Sequence, residues 1–279
     1  MISGIYGDML GSRYEFHNNL PVNFCFSKDS TYTDDTVLLV ATADTLLNNE
    51  SYAKNYLDYA RAYPNRGYGG SFDKWVKNGG GSPYNSYGNG SIMRSFLIGW
   101  IFDDINKTAE EAKKSAECTH SHKEGIKGAI AIACSIWLIR KGYSKKDVKS
   151  ILEKEPLNYD LSRGINDFDR TFDVTCQGTI PRCMAIFFET NSFEEAMVAG
   201  IKMGGDVDTN CCIVGSLCDA QYGLPKKEII QSVYERIPRQ MANIVTAFTK
   251  KYIDKNFVEP EYIATKASTL EDALSSLFS

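Results

Sequence analysis

The stretch Gly204-Gly205-Asp206-Val207-Asp208-Thr209 organises this chain of 279 residues. It runs almost directly into the apolar segment from Cys211 to Leu217, which predicts a buried helix. The two glycines permit the backbone to turn sharply into that helix, and two carboxylates and a hydroxyl then lie at its start. Burying carboxylates and hydroxyls costs free energy unless hydrogen bonds or opposite charges compensate them. The segment therefore indicates that something positive binds here.

A second segment far upstream repeats this chemistry. Thr33-Asp34-Asp35-Thr36 runs directly into the apolar residues 37–41. Taken alone, a threonine cap followed by acids is ordinary helix-start chemistry. Taken together, the two segments bring four aspartates and three threonines to two helix starts. Because four adjacent carboxylates without cations would raise one another's pKa and cost stability, we expect a pair of hard metal ions with oxygen ligands.

The composition sets broad limits on function. The chain is 43% hydrophobic and 24% charged, as in an ordinary globular protein, and its net charge is −4 without a basic block. Nucleic acids and acidic membranes are therefore not expected as partners. The first residues lack a signal-peptide pattern, and the most apolar segment, 129–139, is too short to span a bilayer. We expect a cytoplasmic protein and leave the oligomeric state open, with a monomer favoured.

Cysteine and histidine usage argues against disulfides and zinc. The eight cysteines include no CxxC pair, and several fall in apolar runs, which is typical of reduced, buried thiols. Three histidines are too few to make a zinc site a natural expectation. Of His120 and His122, one is expected to contact a ligand or to bond a helix end.

The rest of the pattern is helical. Gly4, Gly7 and Gly11 lie three and four residues apart, so they share one helix face and predict a closely packed backbone or ligand. Residues 144–175 are expected to be polar and helical with an irregular middle.

Since neither strand alternation nor an internal repeat is evident, the prediction is an all-α fold. It is a single compact globular domain of about a dozen helices over residues 1–255. A C-terminal helical tail, 256–279, is expected to pack on it or trail from it.

A long loop carries Asn65-Arg66-Gly67-Tyr68-Gly69-Gly70 and then residues 79–91, which precede the helix that begins near residue 92 and are called the glycine-rich loop below. Loops of this length inside a domain are usually functional or disordered, and its tyrosines argue against disorder. Its last part, Gly88-Asn89-Gly90-Ser91, is either a plain helix cap or a turn whose backbone N–H groups meet a phosphate.

Six short motifs then occur in one order, and together they resemble the ADP-ribosylglycohydrolase family, the class that includes dinitrogenase reductase-activating glycohydrolase. The resemblance extends from about residue 4 to residue 225. The motifs are Gly7-Asp8-x-x-Gly11 with Glu15, Thr33-Asp34-Asp35-Thr36, Arg66-Gly67-Tyr68-Gly69, Ser86-Tyr87-Gly88-Asn89-Gly90 with Met93-Arg94, Thr119-His120, and Gly204-Gly205-Asp206-x-Asp208-Thr209.

The resemblance implies a compact all-α hydrolase with two magnesium ions, or manganese in their place, that hold the 2″ and 3″ hydroxyls of a distal ribose. Glu15 matches the glutamate that acts near the anomeric carbon, and Tyr84 stands near the aromatic that stacks on adenine in relatives. The implied metal ligands are Thr33, Asp34, Asp35, Asp206, Asp208 and Thr209. The implied ligand-binding residues are Ser86, Tyr87, Gly88, Asn89, Gly90, Ser91, His120 and Gly205.

The expected activity is magnesium-dependent cleavage of the N- or O-glycosidic bond between ADP-ribose and an acceptor. The substrate is then an ADP-ribosylated protein or a small ADP-ribosyl compound, with serine-type or O-acetyl linkages ahead of arginine. A non-catalytic ADP-ribose-binding protein is the alternative. A two-metal phosphoester hydrolase is weaker, because Arg66 and Arg94 alone do not make a phosphate-gripping cluster.

Overall fold

Helices provide nearly all regular structure in the computed structural model, which describes residues 1–17, 20–21 and 24–260. In that part of the chain, pairing between extended segments is limited to one antiparallel bridge between Gly88 and Thr175. The all-α prediction, including about a dozen helices, is confirmed. The α-helices are α1 (Ile2–Ser12), α2 (Asp34–Asn48), α3 (Tyr52–Ala62), α4 (Gly70–Lys77), α5 (Ile92–Ser95), α6 (Ile105–Glu117), α7 (Lys123–Arg140), α8 (Lys145–Leu152), α9 (Cys176–Glu189), α10 (Phe193–Met203), α11 (Val207–Tyr222), α12 (Lys227–Tyr234) and α13 (Arg239–Phe248).

The packing of α1 along α11 is the most extensive helix pairing in the fold. The glycine face of α1 makes it possible. A Cβ added at Gly7 would stand 2.2 Å from the carbonyl oxygen of Cys211, and one at Gly11 would stand 2.6 Å from the Cα of Asp208. Glycine costs about 1 kcal/mol in a helix interior relative to alanine. Here it permits backbone-to-backbone contact, which confirms the expectation from the glycine spacing.

The central helix α11 is enclosed by neighbours. Residues 207–219 are buried, and α11 packs against α1, α9 and α10. A helix that is buried on all sides is expected to be largely apolar, as the middle of α11 is. The surrounding helices therefore fix the position of the first turn of α11, which contains Asp208 and follows Asp206.

Three helix ends meet at one place. The C-terminal end of α1 lies against Asp208 in the first turn of α11, and the start of α2 joins them because Thr33 and Thr36 both bond to Asp8 of α1. Thr33 caps α2 by accepting a hydrogen bond from the N–H of Asp35. The positive ends of two helix dipoles therefore face the same group of carboxylates, an arrangement that favours negative charge.

Two stretches differ from the expected helices. The segment 144–175 forms a helix only over α8, because the capping box at Ser144 starts it and the chain around Pro156 breaks it. Residues 153–175 are then mostly irregular, apart from a short 3₁₀ turn at Ile165–Asp167. Of the expected C-terminal tail, Phe257 is buried against Tyr234, and residues 261–279 lie outside the described residues.

The eight cysteines are all free, and six of them are buried, as their apolar context predicted. No helix in the described ranges combines the length and the apolar character needed to cross a bilayer.

Candidate active site

A cavity of about 700 Å³ opens where α1, α2 and α11 meet. Its wall contains charged and polar side chains from distant parts of the sequence, facing a glycine-rich loop on the other side. This cavity brings together most of the residues singled out from the sequence. Those that line it are Glu15, Thr33, Asp34, Asp35, Ser86, Gly88, Asn89, Gly90, His120, Asp206, Asp208 and Thr209.

Three of the expected ligand-binding residues do not line the cavity. Tyr87 is about half exposed, and its ring lies 5.2 Å from that of His122. Ser91 is buried and donates a 2.8 Å hydrogen bond to the carbonyl of Gly125. Gly205 shapes the chain before Asp206: it and Gly204 both have positive φ, of 75° and 73°, a conformation that glycine adopts without strain.

One group of carboxylates consists of Asp8, Asp35 and Asp208, whose oxygen atoms come within 4.8 Å of one another. Asp8 accepts hydrogen bonds from the backbone N–H and the hydroxyl of both Thr33 and Thr36. Both of its oxygens are thus engaged within the protein. Asp35 differs, since its Oδ2 accepts a 3.0 Å bond from the Thr209 hydroxyl, while its buried Oδ1 has no hydrogen-bond partner in the described part of the chain.

A second group consists of Glu15, Asp206 and Asp208, again with oxygens within 4.8 Å. Asp208 belongs to both groups and therefore links them. Asp206 is buried and accepts a 2.6 Å hydrogen bond from the side-chain amide of Asn89. Asn89 in turn lies in the glycine-rich loop, so the loop and the acidic groups are joined directly.

Crowding and burial raise the proton affinity of these carboxyls. Burial, with the nearby charges of Asp208 and Asp8, raises the pKa of the half-buried Glu15 to about 8. Burial raises the pKa of Asp206 to about 6, and it raises the pKa of Asp35 and Asp208 well above the usual range. The described residues supply no Lys or Arg partner to this group. The site consequently has a surplus of negative charge that a bound cation would relieve.

The donor set fits hard divalent cations. It consists of aspartate, glutamate and threonine oxygens, with no thiolate or imidazole among them, as Mg²⁺, Mn²⁺ and Ca²⁺ prefer. The unpartnered Asp35 Oδ1 is a further sign, because a buried carboxylate oxygen without a donor is rare. The residues that could hold cations are those at the two helix starts.

The glycine-rich loop is tied down by its own backbone. The N–H of Gly88 donates to Ser86 Oγ at 3.0 Å, and the N–H of Asn89 donates to the carbonyl of Val174 at 2.7 Å. Two N–H groups that the sequence suggested for a phosphate are therefore engaged within the protein. Near this loop, the ring of His120 instead presents its Nε2 towards Gly90.

The irregular segment 168–175 was not recognised as functional from the sequence. Phe172 and Val174 line the cavity, and the ring of Phe172 lies 5.3 Å from that of Phe16 next to Glu15. Arg170 donates to the carbonyls of His17 and Lys202, at 2.9 and 2.7 Å. The segment thus contacts the Glu15 region, the residues before Asp206 and the glycine-rich loop. Its sequence offers no motif, because the contacts are made largely by backbone atoms and exposed side chains.

Comparison with known proteins agrees with this architecture. The ADP-ribosylhydrolase ARH3 of Mus musculus is 23% identical over 312 residues, covering 80% of this chain and 83% of that protein. ARH3 of Gallus gallus is 26% identical over 264 residues, covering 69% of this chain and 70% of that protein. A solved structure titled "ADP-ribosylglycohydrolase-related protein complex" shares the fold, with a TM-score of 0.72 at 20% identity over 89% of this chain and 95% of that one. The model of the family ADP-ribosylglycohydrolase matches residues 1–255, so the chain belongs to the ADP-ribosylglycohydrolase family of hydrolases.

Proposed function

We propose that this protein is a magnesium-dependent hydrolase that releases ADP-ribose from an acceptor by cleaving the glycosidic bond between them. The observation that carries the proposal is the pair of carboxylate groups that share Asp208 at one end of the cavity. Glu15 belongs to one of these groups, and the glycine-rich loop faces them. Family membership supplies the reaction class, and residues 1–255 are proposed to carry the activity as one domain.

Two cations are proposed because the carboxylates form two overlapping groups. Asp8 orients Thr33 and Thr36 with both of its oxygens and so serves as a support for the first group. Divalent cations bound here would neutralise the carboxylates and hold the vicinal hydroxyls of a ribose beside the bond to be cleaved. Mg²⁺ is favoured, and Mn²⁺ is an acceptable substitute. The residues proposed to hold them are Thr33, Asp34, Asp35, Asp206, Asp208 and Thr209.

Glu15 is the proposed general base. It is half-buried beside Asp206 and Asp208. Burial and the neighbouring carboxylates raise the pKa of Glu15 to about 8 in the metal-free site, and cations bound beside it would favour the ionised carboxylate, which is the form that accepts a proton. As the oxygen of water bonds to the anomeric carbon, its proton passes to Glu15 and the acceptor leaves with the bonding electrons. The transition state has oxocarbenium-ion character, which the surrounding carboxylates stabilise.

The other end of the ligand is proposed to lie along the glycine-rich loop. His120 faces this loop, and Phe72 and Tyr84 line the same part of the wall. Tyr84 lies 5.9 Å from the His120 ring and offers an aromatic face to the adenine. The diphosphate would then lie between His120 and the two carboxylate groups, which sets the direction of the ligand in the cavity.

The acceptor is proposed to be O-linked, of the serine or O-acetyl type, with arginine as the second choice. The relatives named ADP-ribosylhydrolase ARH3 and the motif Arg66-Gly67-Tyr68-Gly69 support this order. Arg66 stacks on Tyr32 at 3.8 Å and lines the cavity.

The test is release of ADP-ribose from serine-linked, O-acetyl and arginine-linked substrates, each with Mg²⁺ and with EDTA. The expected result is magnesium-dependent release, fastest from an O-linked substrate. Tight binding of ADP-ribose without release from any substrate would replace the hydrolase by a binding protein. Release from the arginine-linked substrate alone would overturn the proposed linkage and keep the reaction.

A further inference from the structure

Arg94 is a fully buried cation, and no carboxylate in the described ranges forms an ion pair with it. Its guanidinium lies 4.0 Å above the ring of Tyr56, and its Nη2 donates to the Thr119 hydroxyl at 2.6 Å and to the carbonyl of Ser115 at 3.2 Å. Among the residues that the structure describes, its Nε and Nη1 have no hydrogen-bond partner. An uncompensated buried charge is strongly destabilising. Because Arg94 also lines the cavity, an anionic ligand there would supply the missing negative charge.

The Thr119 hydroxyl lies between Arg94 and His120. Its oxygen is 2.6 Å from Arg94 Nη2 and 2.8 Å from His120 Nδ1. Arginine can only donate, so the hydroxyl oxygen accepts from Arg94. The hydroxyl proton is then free to be donated to His120 Nδ1. A ring nitrogen that accepts carries no proton, and in a neutral imidazole the proton must be on the other nitrogen, Nε2.

His120 Nε2 faces the glycine-rich loop. A Cβ added at Gly90 would lie 3.2 Å from it, and one at Gly88 would lie 3.7 Å from it. Burial and the charge of Arg94 hold the pKa of His120 well below its usual range, so the ring is neutral at physiological pH. The neutral ring carries one N–H proton, and the hydrogen bonds from Arg94 through Thr119 to Nδ1 determine which ring nitrogen holds it.

We propose that Arg94 and Thr119 are positioning residues that fix His120 in the tautomer protonated on Nε2, which makes it a hydrogen-bond donor to an anionic oxygen of the ligand. A diphosphate oxygen is the acceptor of matching chemistry, and this identification rests on the function proposed above. The chain of hydrogen bonds from Arg94 through Thr119 to His120, called the relay below, thus favours a hydrogen-bond acceptor of the ligand at this point over a hydroxyl or amide hydrogen. The charge of Arg94 adds attraction for the anion.

One competing arrangement exists in the same cluster. Thr119 also lies near the hydroxyl of Tyr84, where it favours the ionised phenol and so acts to lower the pKa of Tyr84. If the Thr119 proton is donated to Tyr84, then His120 Nδ1 must donate to Thr119, and Nε2 becomes an acceptor. The two arrangements differ in which ring nitrogen of His120 carries the proton, and that difference is directly observable.

The first test is long-range ¹H–¹⁵N NMR of the uniformly labelled protein without ligand. The chain has only three histidines, and His120→Gln assigns the signal of interest. The proposal expects a neutral His120 ring protonated on Nε2 at pH 7 in the wild type and in Thr119→Ser, which keeps the hydroxyl. Thr119→Val removes it and should give a mixture of tautomers. A wild-type ring protonated on Nδ1, or on both nitrogens, would overturn the proposal.

The second test is calorimetric titration with ADP-ribose in Mg²⁺. Thr119→Val should bind about tenfold more weakly, and Thr119→Ser within about twofold of the wild type. His120→Gln, which keeps an N–H near the Nε2 position, should retain more affinity than His120→Asn. Equal affinity in Thr119→Val and Thr119→Ser would overturn the role of the relay. If the wild type does not bind ADP-ribose, the proposed function fails, whereas the NMR result still decides the tautomer.

Discussion

The side-chain amide of Asn89 donates a 2.6 Å hydrogen bond to Asp206, and this contact joins the glycine-rich loop to the start of α11, 117 residues further along the chain. The same amide donates to the hydroxyl of Thr179 at 3.2 Å, and the backbone N–H of Asn89 donates to Val174. One side chain therefore fixes the distance between the loop and the acidic groups. A ligand that spans both would meet a preorganised site.

Asn89→Ala should weaken ADP-ribose binding by about tenfold. The substitution leaves a buried carboxylate oxygen of Asp206 without its donor, which costs about 1–3 kcal/mol and loosens the loop. Calorimetry in Mg²⁺ measures the affinity, and Asn106→Ala, at an exposed position of α6, is the control. Wild-type affinity in Asn89→Ala would mean that the contact has no part in binding.

Asp208→Asn should change stability in opposite directions with and without metal. Asp208 belongs to both carboxylate groups, so a neutral amide of the same shape relieves repulsion and should raise the Tm of the metal-free protein by several degrees. It should also abolish the stabilisation that Mg²⁺ gives the wild type. Thermal unfolding in EDTA and in Mg²⁺ measures both effects, with the exposed Asp58→Asn as control. Retained stabilisation by Mg²⁺ would remove Asp208 from the metal site.

The metal-free protein should lose stability as the pH rises from 5 to about 8.5. Burial raises the pKa of Asp206 to about 6 and that of Glu15 to about 8, so both carboxyls bind protons more tightly in the folded protein than in the unfolded chain, where carboxyl pKa values are near 4. The stabilisation is therefore present at low pH and is lost as the pH passes through the folded values. Tm against pH in EDTA measures this loss. Mg²⁺ should flatten the curve, and a Tm that rises with pH in EDTA would contradict the account.

Gly7→Ala should lower the Tm by about 5 °C or more. The added Cβ would stand 2.2 Å from the backbone carbonyl of Cys211, which cannot move without separating α1 from α11. Overpacking of this kind costs about 1–3 kcal/mol or more. Gly70→Ala is the matched control, because a Cβ there meets nothing within 4 Å. Equal Tm values for the two variants would show that the helix contact is not close-packed.

Much of the fold and part of the site follow from local sequence. Helix starts at Thr33 and before Val207, the glycine face of α1 and the buried run of α11 are all determined by spacing and residue type, and the structure confirms them. The family resemblance is likewise confirmed. The assignment of individual metal and ligand residues stays a prediction, although the cavity gathers most of them.

The remaining features depend on contacts between distant segments. The spacing of Asp8 along α1 does not show that it is buried, and it is buried because Thr33 and Thr36 bond to it from another helix. The segment 168–175 was expected to be helical in part, yet its polar groups bond to the glycine-rich loop and to the chain beyond Glu15. Hydrophobic periodicity does not predict such pairings, because it indicates only the type of an element and which of its faces is buried.

Glu15 is proposed to remove a proton from the attacking water, in a site that binds the ligand through other residues. The wild type and Glu15→Gln are compared in Mg²⁺ for two quantities. One is the rate of ADP-ribose release from whichever of the serine-linked, O-acetyl and arginine-linked substrates the wild type cleaves fastest, and the other is the affinity for ADP-ribose. The affinity should stay within about threefold of the wild type, while turnover should fall by about 10²–10⁴-fold, the usual contribution of a general base. Turnover that survives the substitution with affinity unchanged would contradict this role of Glu15.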